Sequence, residues 1–345
     1  SQSTFQAGNS SLSLMLGQYN SLATDENLTF SHTFPLAGLL NRQKQVWQAV
    51  QQQSQIQQTA ESVLWSQQIR EIYVNAQFGQ AMLLKYRELH SILDTALQTA
   101  TLRRKVGESS LLDSIGFASR QQLLKQKSAR MQAFLQAESI RLQILTGDSM
   151  PVLPSETLTV STMIPDSNAW KRHPQIGILE KQIQVNQAQI SVEKAARLPD
   201  LMIGYFNQSL IGTYEINGER VSYSAARRFQ GMQAGISMPI WQKPIEAAKQ
   251  QTFVAESKLA AEMLQRKAKF SALQTEYSEQ LKSLVQFQRE TLTQAEQLQT
   301  IARRSYQAGD ISYTEFAVLW NQAADIQLAY IEAVYQSQLL FQQLL

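Results

Sequence analysis

The sequence predicts a mainly α-helical chain with a small β part. Long antiparallel helical hairpins are joined to amphipathic strands, and the plan is laid out twice in tandem. Three observations carry this expectation. All eight prolines lie at 35, 151, 154, 165, 174, 199, 239 and 244, which leaves two proline-free blocks, 36–150 and 245–345. Proline breaks helix interiors, so both blocks are free to be helical throughout. Outside them, four stretches alternate apolar and polar residues with period 2, the pattern of strands with one apolar face. The two halves also repeat one another in order.

The elements follow along the chain. "SLSLMLGQYN" (11–20) sets Leu12, Leu14 and Leu16 against Ser11, Ser13 and Met15, and "LTFSHTFPL" (28–36) sets Leu28, Phe30, His32 and Phe34 against Thr29, Ser31 and Thr33. "SLATDEN" joins these two predicted strands. The first helical block reaches a turn in "RRKVGESSLLDS" (103–114). A helix is expected between Pro174 and Pro199, then two more strands, "LMIGYFNQSL" (201–210) and "RFQGMQAGISMPI" (228–240). Between those two lies a longer polar loop, "GTYEINGERVSYSAA" (212–226). In the second block Leu273, Tyr277, Leu281, Leu284, Leu292, Ala295, Leu298 and Ala302 recur at helical spacing. A helix from Pro239 to Gly309 would be ~100 Å long at the α-helical rise. Gly309 is the only glycine from 245 to 345; glycine takes the left-handed conformation that ends helices, so the chain reverses there. Beyond it Phe316, Leu319, Ala323, Ile326, Tyr330, Ala333, Ser337, Leu340 and Leu344 step by alternating threes and fours, a coiled-coil seam.

The internal repeat is explicit in the residues. Phe34-Pro35-Leu36 matches Met238-Pro239-Ile240, and Arg103, Arg104 and Gly107 match Arg303, Arg304 and Gly309. Ser110 and Asp113 follow the first glycine by three and six residues, as Ser312 and Glu315 follow the second. Gly107 lies 72 residues after Pro35, and Gly309 lies 70 after Pro239. The helix between Pro174 and Pro199 precedes the second strand pair and has no counterpart in the first copy, so the chain is expected to begin one helix late. The predicted organisation is a first β-hairpin at 1–36, a first helical hairpin at 37–147, a linker and helix at 148–199, a second β-hairpin at 200–240 and a second helical hairpin at 241–345.

Composition excludes several functions. With 31 Lys and Arg against 28 Asp and Glu, the net charge of +3 argues against nucleic acid as a partner. No run of 18 apolar residues offers a transmembrane helix. Ser1 does not open a signal peptide. Zero cysteines exclude disulfides, thiolate metal sites and cysteine nucleophiles, and suit a chain that crosses an oxidising compartment. Glutamine is about one residue in seven, interleaved with Leu and Ala at helical spacing, which reads as wet helix faces rather than a low-complexity tract. No phosphate-binding glycine loop, nucleophile elbow or paired-carboxylate motif is present, so no enzyme activity and no cofactor is expected.

Taken in order, these pieces resemble the TolC-like outer-membrane efflux proteins over essentially the whole chain. The resemblance rests on "HPQI" (173–176) before a helix, "LPDLMIGYFNQS" (198–209) entering a strand, "ISMPIW" (236–241) leaving one, and "YQAGDISYTEF" (306–316) at a hairpin tip. "GQYNSLATDENLTFSHTFPL" (17–36) is similar to the heavy-metal branch. Some members of that branch are fused to an inner-membrane pump, which would account for the missing first helix. The resemblance implies a homotrimer in the outer membrane of a Gram-negative bacterium. Four strands per subunit would close a twelve-stranded transmembrane β-barrel, and the helices would form a periplasmic tunnel, or α-barrel. Its implied partners are outer-membrane lipid, a periplasmic adaptor and an RND-type inner-membrane pump, and its implied cargo is heavy-metal cations. Physical chemistry agrees: a half-apolar strand set wants lipid on one face, and open strand edges are not tolerated in lipid. Phe5, Tyr19, Phe30, Phe34, Tyr205, Tyr214, Tyr223, Phe229 and Trp241 fall in or beside the strands and are expected to form interfacial girdles. The rival reading is a soluble coiled-coil scaffold whose strands only cap the bundle.

For the family, Val106-Gly107 and Ala308-Gly309 imply adaptor-docking tips; the alternative is a helix reversal that needs glycine whatever it contacts. Asp113 and Glu315, with Asp310 and Glu108 beside the glycines, are candidates for a carboxylate ring at the tunnel mouth, where such rings favour cations; the alternative is a solvated helix face. The family archetype closes with an arginine two residues past the second glycine, where this chain has Ile311. His32, His90 and His173 are scattered without metal-ligand spacing. Met15, Met202, Met232 and Met238 are read as core or lipid-facing filler before soft-metal ligands.

Overall fold

The computed structural model describes residues 8–18, 21–35, 38–107, 110–237 and 244–344. Its elements run β1 (Asn9–Gly17), β2 (Asp25–Pro35), α1 (Leu39–Lys105), α2 (Leu111–Thr146), a 3-10 turn (Ala169–Arg172), α3 (Pro174–Ala195), β3 (Asp200–Ser209), β4 (Gly212–Ile216), β5 (Glu219–Tyr223), β6 (Arg228–Ser237), α4 (Pro244–Gln286), a π-helical turn (Phe287–Leu292), α5 (Thr293–Ala308) and α6 (Tyr313–Leu344). They gather into two compact units, Ser1–Thr59 with Pro174–Met263, and Ala60–His173 with Leu264–Leu345.

The first unit is built on an antiparallel sheet in the order β1-β2-β3-β6. Directly opposed residues share a face, and Leu12 opposes Phe30, which opposes Tyr205, which opposes Met232. Leu14 lies opposite Leu28, and Phe34 opposite Leu201, which opposes Ile236. The other face carries Ser11, Ser31, Gly204 and Gln233 in one row and Thr29, Phe206 and Gly231 in the next. Ser11 and Ser31 bond hydroxyl to hydroxyl at 2.7 Å. Gly231 is required there, because an added Cβ would lie 2.7 Å from the Phe206 ring. In the same unit α3 is tied to α1 by Gln53 donating to Gln182 at 2.7 Å, and to α4 by Asn186 donating to the Gln251 carbonyl at 3.2 Å.

The stretch at 212–226, expected as a longer polar loop, folds as a second hairpin, β4–β5. Its turn is Asn217-Gly218, both at positive φ (53° and 86°). Asn-Gly is the residue pair that a two-residue turn of this hand demands. One aromatic expected among the girdles lies elsewhere: Phe229 opposes Gln208 on the polar face, where its ring meets Tyr223 edge-on at 5.3 Å. Phe30, Phe34 and Tyr205 stand on the apolar face, while Phe5, Tyr19 and Trp241 lie outside the described residues.

The second unit is a helical bundle. On α1 the buried Met82, Tyr86, Leu89, Leu93, Ala96 and Ala100 step by alternating fours and threes. This is the same coiled-coil spacing foreseen for α6, and they pack with Phe117 and Leu124 of α2, Ala302 and Tyr306 of α5, and Phe316, Trp320 and Ala324 of α6. The foreseen α6 seam is buried or half-buried throughout, but Ala317, Trp320, Ala324, Gln327 and Val334 are also buried, so α6 packs on more than one side. The second long helix is interrupted: residues 287–292 form a π turn, and Thr293 Oγ1 donates to the Gln288 carbonyl at 3.3 Å within it. A strap follows α2 without regular structure. Its carbonyls are satisfied by helix side chains: Gln80 donates to Pro154 O and Gln77 to Glu156 O at 3.2 Å each, and Gln274 to Pro165 O at 3.1 Å, with Gln338 reaching Thr159 O and the Tyr277 hydroxyl Ser161 O. The abundant glutamines thus do more than wet the helix faces. They give an extended chain donors for backbone carbonyls that have no partner in regular structure.

Candidate functional site: the hairpin tips and the apolar sheet face

Both helical hairpins reverse at the expected glycines. At the first tip, the Val106 and Gly107 N–H groups donate to the Arg103 and Arg104 carbonyls at 3.2 and 3.1 Å, and Gly107 has φ 84°. At the second, Gly309 has φ 94° and donates to Ser305 O at 3.0 Å and Tyr306 O at 3.3 Å, while Asp310 N–H reaches Ser305 O at 2.9 Å. The Gly309-to-Tyr306 and Asp310-to-Ser305 bonds make a Schellman C-cap, which needs a left-handed residue at 309.

The next helix at each tip opens with a capping box. Asp113 N–H donates to Ser110 Oγ at 3.2 Å and Ser110 N–H returns to Asp113 Oδ2 at 3.0 Å. Glu315 N–H donates to Ser312 Oγ at 3.3 Å, and the Ser312 N–H and hydroxyl both donate to Glu315 Oε2 at 2.8 Å. The two carboxylates singled out by their spacing therefore hold helix starts, α2 and α6 respectively. The Ser312 N–H and then its hydroxyl lower the Glu315 carboxyl below its ordinary value. The signal was present in the sequence: Ser-x-x-Asp and Ser-x-x-Glu, each before an apolar run, spell the capping box. Asp310 is exposed beside its glycine, and Glu108 lies outside the described residues.

The two tips also meet. Phe117 of α2 packs with Tyr306 (5.5 Å between centroids), Tyr313 (4.7 Å) and Phe316 (5.7 Å), which flank the second turn. Gly116 leaves room for the Tyr313 hydroxyl, which occupies the space a Cβ would fill. Burial raises the Tyr306 phenol above its ordinary value, the charge of Asp113 adds to that, and Arg103 opposes it. Ile311 is half-buried against this core. Arg103, one of the residues that align the two repeats, extends across to the second tip. Its Nη2 donates to the Gln307 carbonyl at 3.3 Å, and its guanidinium carbon lies 5.3 Å from the Tyr306 ring centroid. Val106 is 71% exposed at the first tip.

Each of the three histidines has its own local partner. His32 Nδ1 pairs with Ser10 Oγ at 2.8 Å, His90 with Asp94 at 3.0 Å, and His173 N–H closes the 3-10 turn on Trp170 O. Among the described residues no group of three or more His, Cys, Asp or Glu side chains could hold a metal ion.

The other distinctive surface is the apolar face of the sheet. Leu12 (71%), Leu14, Leu16, Leu28, Phe30, Phe34, Ile203, Tyr205, Met232 (84%) and Ile236 are all exposed, and all stand on that face. The four strands are 9, 11, 10 and 10 residues long. A tilted strand needs about 9–11 residues to cross a bilayer. No described helix is long and apolar enough to do so.

No protein-family model matches the sequence, and neither does any curated protein. Solved structures do match. The outer-membrane channel OprN superposes with a TM-score of 0.76 at 16% identity, over 98% of this chain and 79% of that one. VceC, an outer membrane protein of Vibrio cholerae, gives 0.74 at 15% identity, covering 98% and 84%. CusC, whose structures bear on conformational changes accompanying folding and transmembrane channel formation, gives 0.66 at 18% identity, covering 98% and 81%. The chain has the fold of the TolC-like outer-membrane factors.

Proposed function

We propose that this chain is the outer-membrane channel of a tripartite efflux system, a passive exit duct working as a homotrimer. The observation that carries the reading is the sheet: one face exposes a set of large apolar side chains, the opposite face is mostly polar or small with Phe206 and Phe229 as exceptions, and the outer edges of β1 and β6 have no partner strand within the described chain. Water does not favour such a face, and lipid does not tolerate such edges. Three copies pairing β1 to β6 remove both difficulties, with lipid outside and a water-filled lumen within. The fold shared with OprN, VceC and CusC supports the same arrangement.

On this reading the β-barrel lies in the outer membrane and the helices extend into the periplasm. The tips at Val106-Gly107 and Ala308-Gly309 dock a periplasmic adaptor, and an RND-type inner-membrane pump supplies the energy. The channel itself catalyses nothing and holds no cofactor. Heavy-metal cations are the proposed cargo, from the likeness of residues 17–36 to the heavy-metal branch and from Asp113, Asp310 and Glu315 near the tips, where negative charge favours cations. The test is electrical. Purified protein added to a planar lipid bilayer should give discrete conductance steps with preference for cations over chloride. Protein that stays monodisperse without detergent and never conducts would return the chain to the scaffold reading.

A further inference from the structure

We propose that the helical bundle carries a binding cleft for a compact amphipathic anion, an aromatic carboxylate or sulfonate, between α2 and α6. The cleft has a volume of about 550 Å³ and is lined by α1, α2 and α6, all within the second unit. Small side chains leave it open where the long helices face one another: Gly116 and Ser119 on α2, and Ala324 on α6. Its floor is apolar, for Leu89, Leu124 and Trp320 line it and all three are buried. The Trp320 indole N–H finds no acceptor among the described residues. Sites for small molecules have this make-up: a concave, mostly apolar surface of roughly 300–1,000 Å³ with a few polar groups that fix orientation.

The charged groups at the rim choose the guest. Arg120 and Lys127 both line the cleft, and their spacing of seven places them on one face of α2. Arg120 Nη1 donates to Asn321 Oδ1, a neutral partner that leaves the guanidinium charge uncompensated. Lys127 is exposed and makes no ion pair among the described residues. The carboxylate on the lining is Asp325 of α6, which is also exposed and without an ion pair among them. Two cations against one carboxylate leave the α2 rim positive. An anion with an aromatic body answers both features: its ring displaces water from the apolar floor and its acid pairs with Lys127. A neutral ring leaves Lys127 without a counter-charge, and a cation meets two like charges for one opposite. The cleft lies within one helical bundle, so it does not depend on the channel reading.

The probe is 4-benzoylbenzoate, an aromatic carboxylate that crosslinks to nearby C–H bonds under near-ultraviolet light. Its neutral counterpart is 4-(hydroxymethyl)benzophenone. Full-length protein in lipid nanodiscs is titrated by calorimetry, with empty nanodiscs as the blank. The carboxylate should bind saturably, one molecule per chain. Lys127→Met should weaken it about tenfold, the usual worth of a charge-assisted contact. The alcohol should be weaker than the carboxylate on the unaltered protein by a similar factor. Lys125→Met, at an exposed lysine of α2 outside the cleft, should change nothing. Ser119→Trp fills the cleft from an exposed position and should abolish binding while the circular dichroism spectrum is kept; if that variant does not fold, the two lysine variants and the alcohol decide. Crosslinked peptides should map to residues 116–127 and 313–328. The absence of saturable binding, equal affinity for acid and alcohol, equal effects of Lys125→Met and Lys127→Met, or crosslinks confined to the apolar sheet face would each overturn the proposal.

Discussion

Ser312 and Glu315 share three hydrogen bonds at the start of α6, and Ser110 and Asp113 share two at the start of α2. Each box satisfies backbone N–H groups that the first turn of a helix leaves without partners. Ser312→Ala should destabilise the folded protein by about 1 kcal/mol, the usual cost of losing an N-cap hydroxyl, measurable by chemical unfolding. The Glu315 carboxyl is held below its ordinary value, so its contribution is present above the unfolded value of 4.5 and is lost as pH falls through the lower folded value. As pH falls from above 4.5 through the lower folded value, the melting temperature should therefore drop less in Glu315→Gln than in the unaltered protein. Equal slopes would mean that the box does not hold the charge. Gly309→Leu strains a positive-φ turn by roughly 1 kcal/mol or more and crowds Arg103. Assembled protein should survive while adaptor capture weakens; capture at full strength by Gly107→Leu/Gly309→Leu would reduce both glycines to chain reversals. The glycines were legible because a lone glycine stands out in a helical block. The part played by Arg103 was not, because its partners lie about two hundred residues away in sequence.

Among the elements, the strands were legible from period 2, and the helical hairpins from proline-free blocks, lone turn glycines and, in the second block, the helical period. The β4–β5 hairpin was read only as a polar loop, although Asn217-Gly218 between Tyr214 and Val221 is a short-range hairpin signal, because flanking charge hides the strand period. The π turn at 287–292 was not, because it adds no residue type that marks it. The faces of β1 give the sharpest element-scale test. Leu14 is 61% exposed on the apolar face and Ser13 is its neighbour on the other. In lipid vesicles Leu14→Arg should cost about 2–4 kcal/mol of unfolding free energy, as for a charge on a lipid-facing strand near the midplane. Ser13→Arg should cost much less. Similar costs at both positions would deny that only one face meets lipid. On intact cells a cysteine at Asn217 should react with an impermeant label, since long loops of such barrels lie outside; reaction only after lysis would place the hairpin on the wrong side.

For the whole molecule, the two repeats supply two β-hairpins that pair into one sheet through β2 and β3, and that sheet still has two open edges. Nothing within one described chain closes them, so the account stands or falls on assembly. Sequence could show that the strands need partners, because amphipathic period and strand count are local properties. The number of subunits is set by barrel geometry across copies and left no mark in any single residue. The central claim is tested most directly by native mass spectrometry of the protein extracted from outer membrane in mild detergent. The account requires a species of three copies of the 39.0 kDa chain that persists as detergent is stripped in the gas phase. A stable monomer or dimer as the dominant species would contradict it.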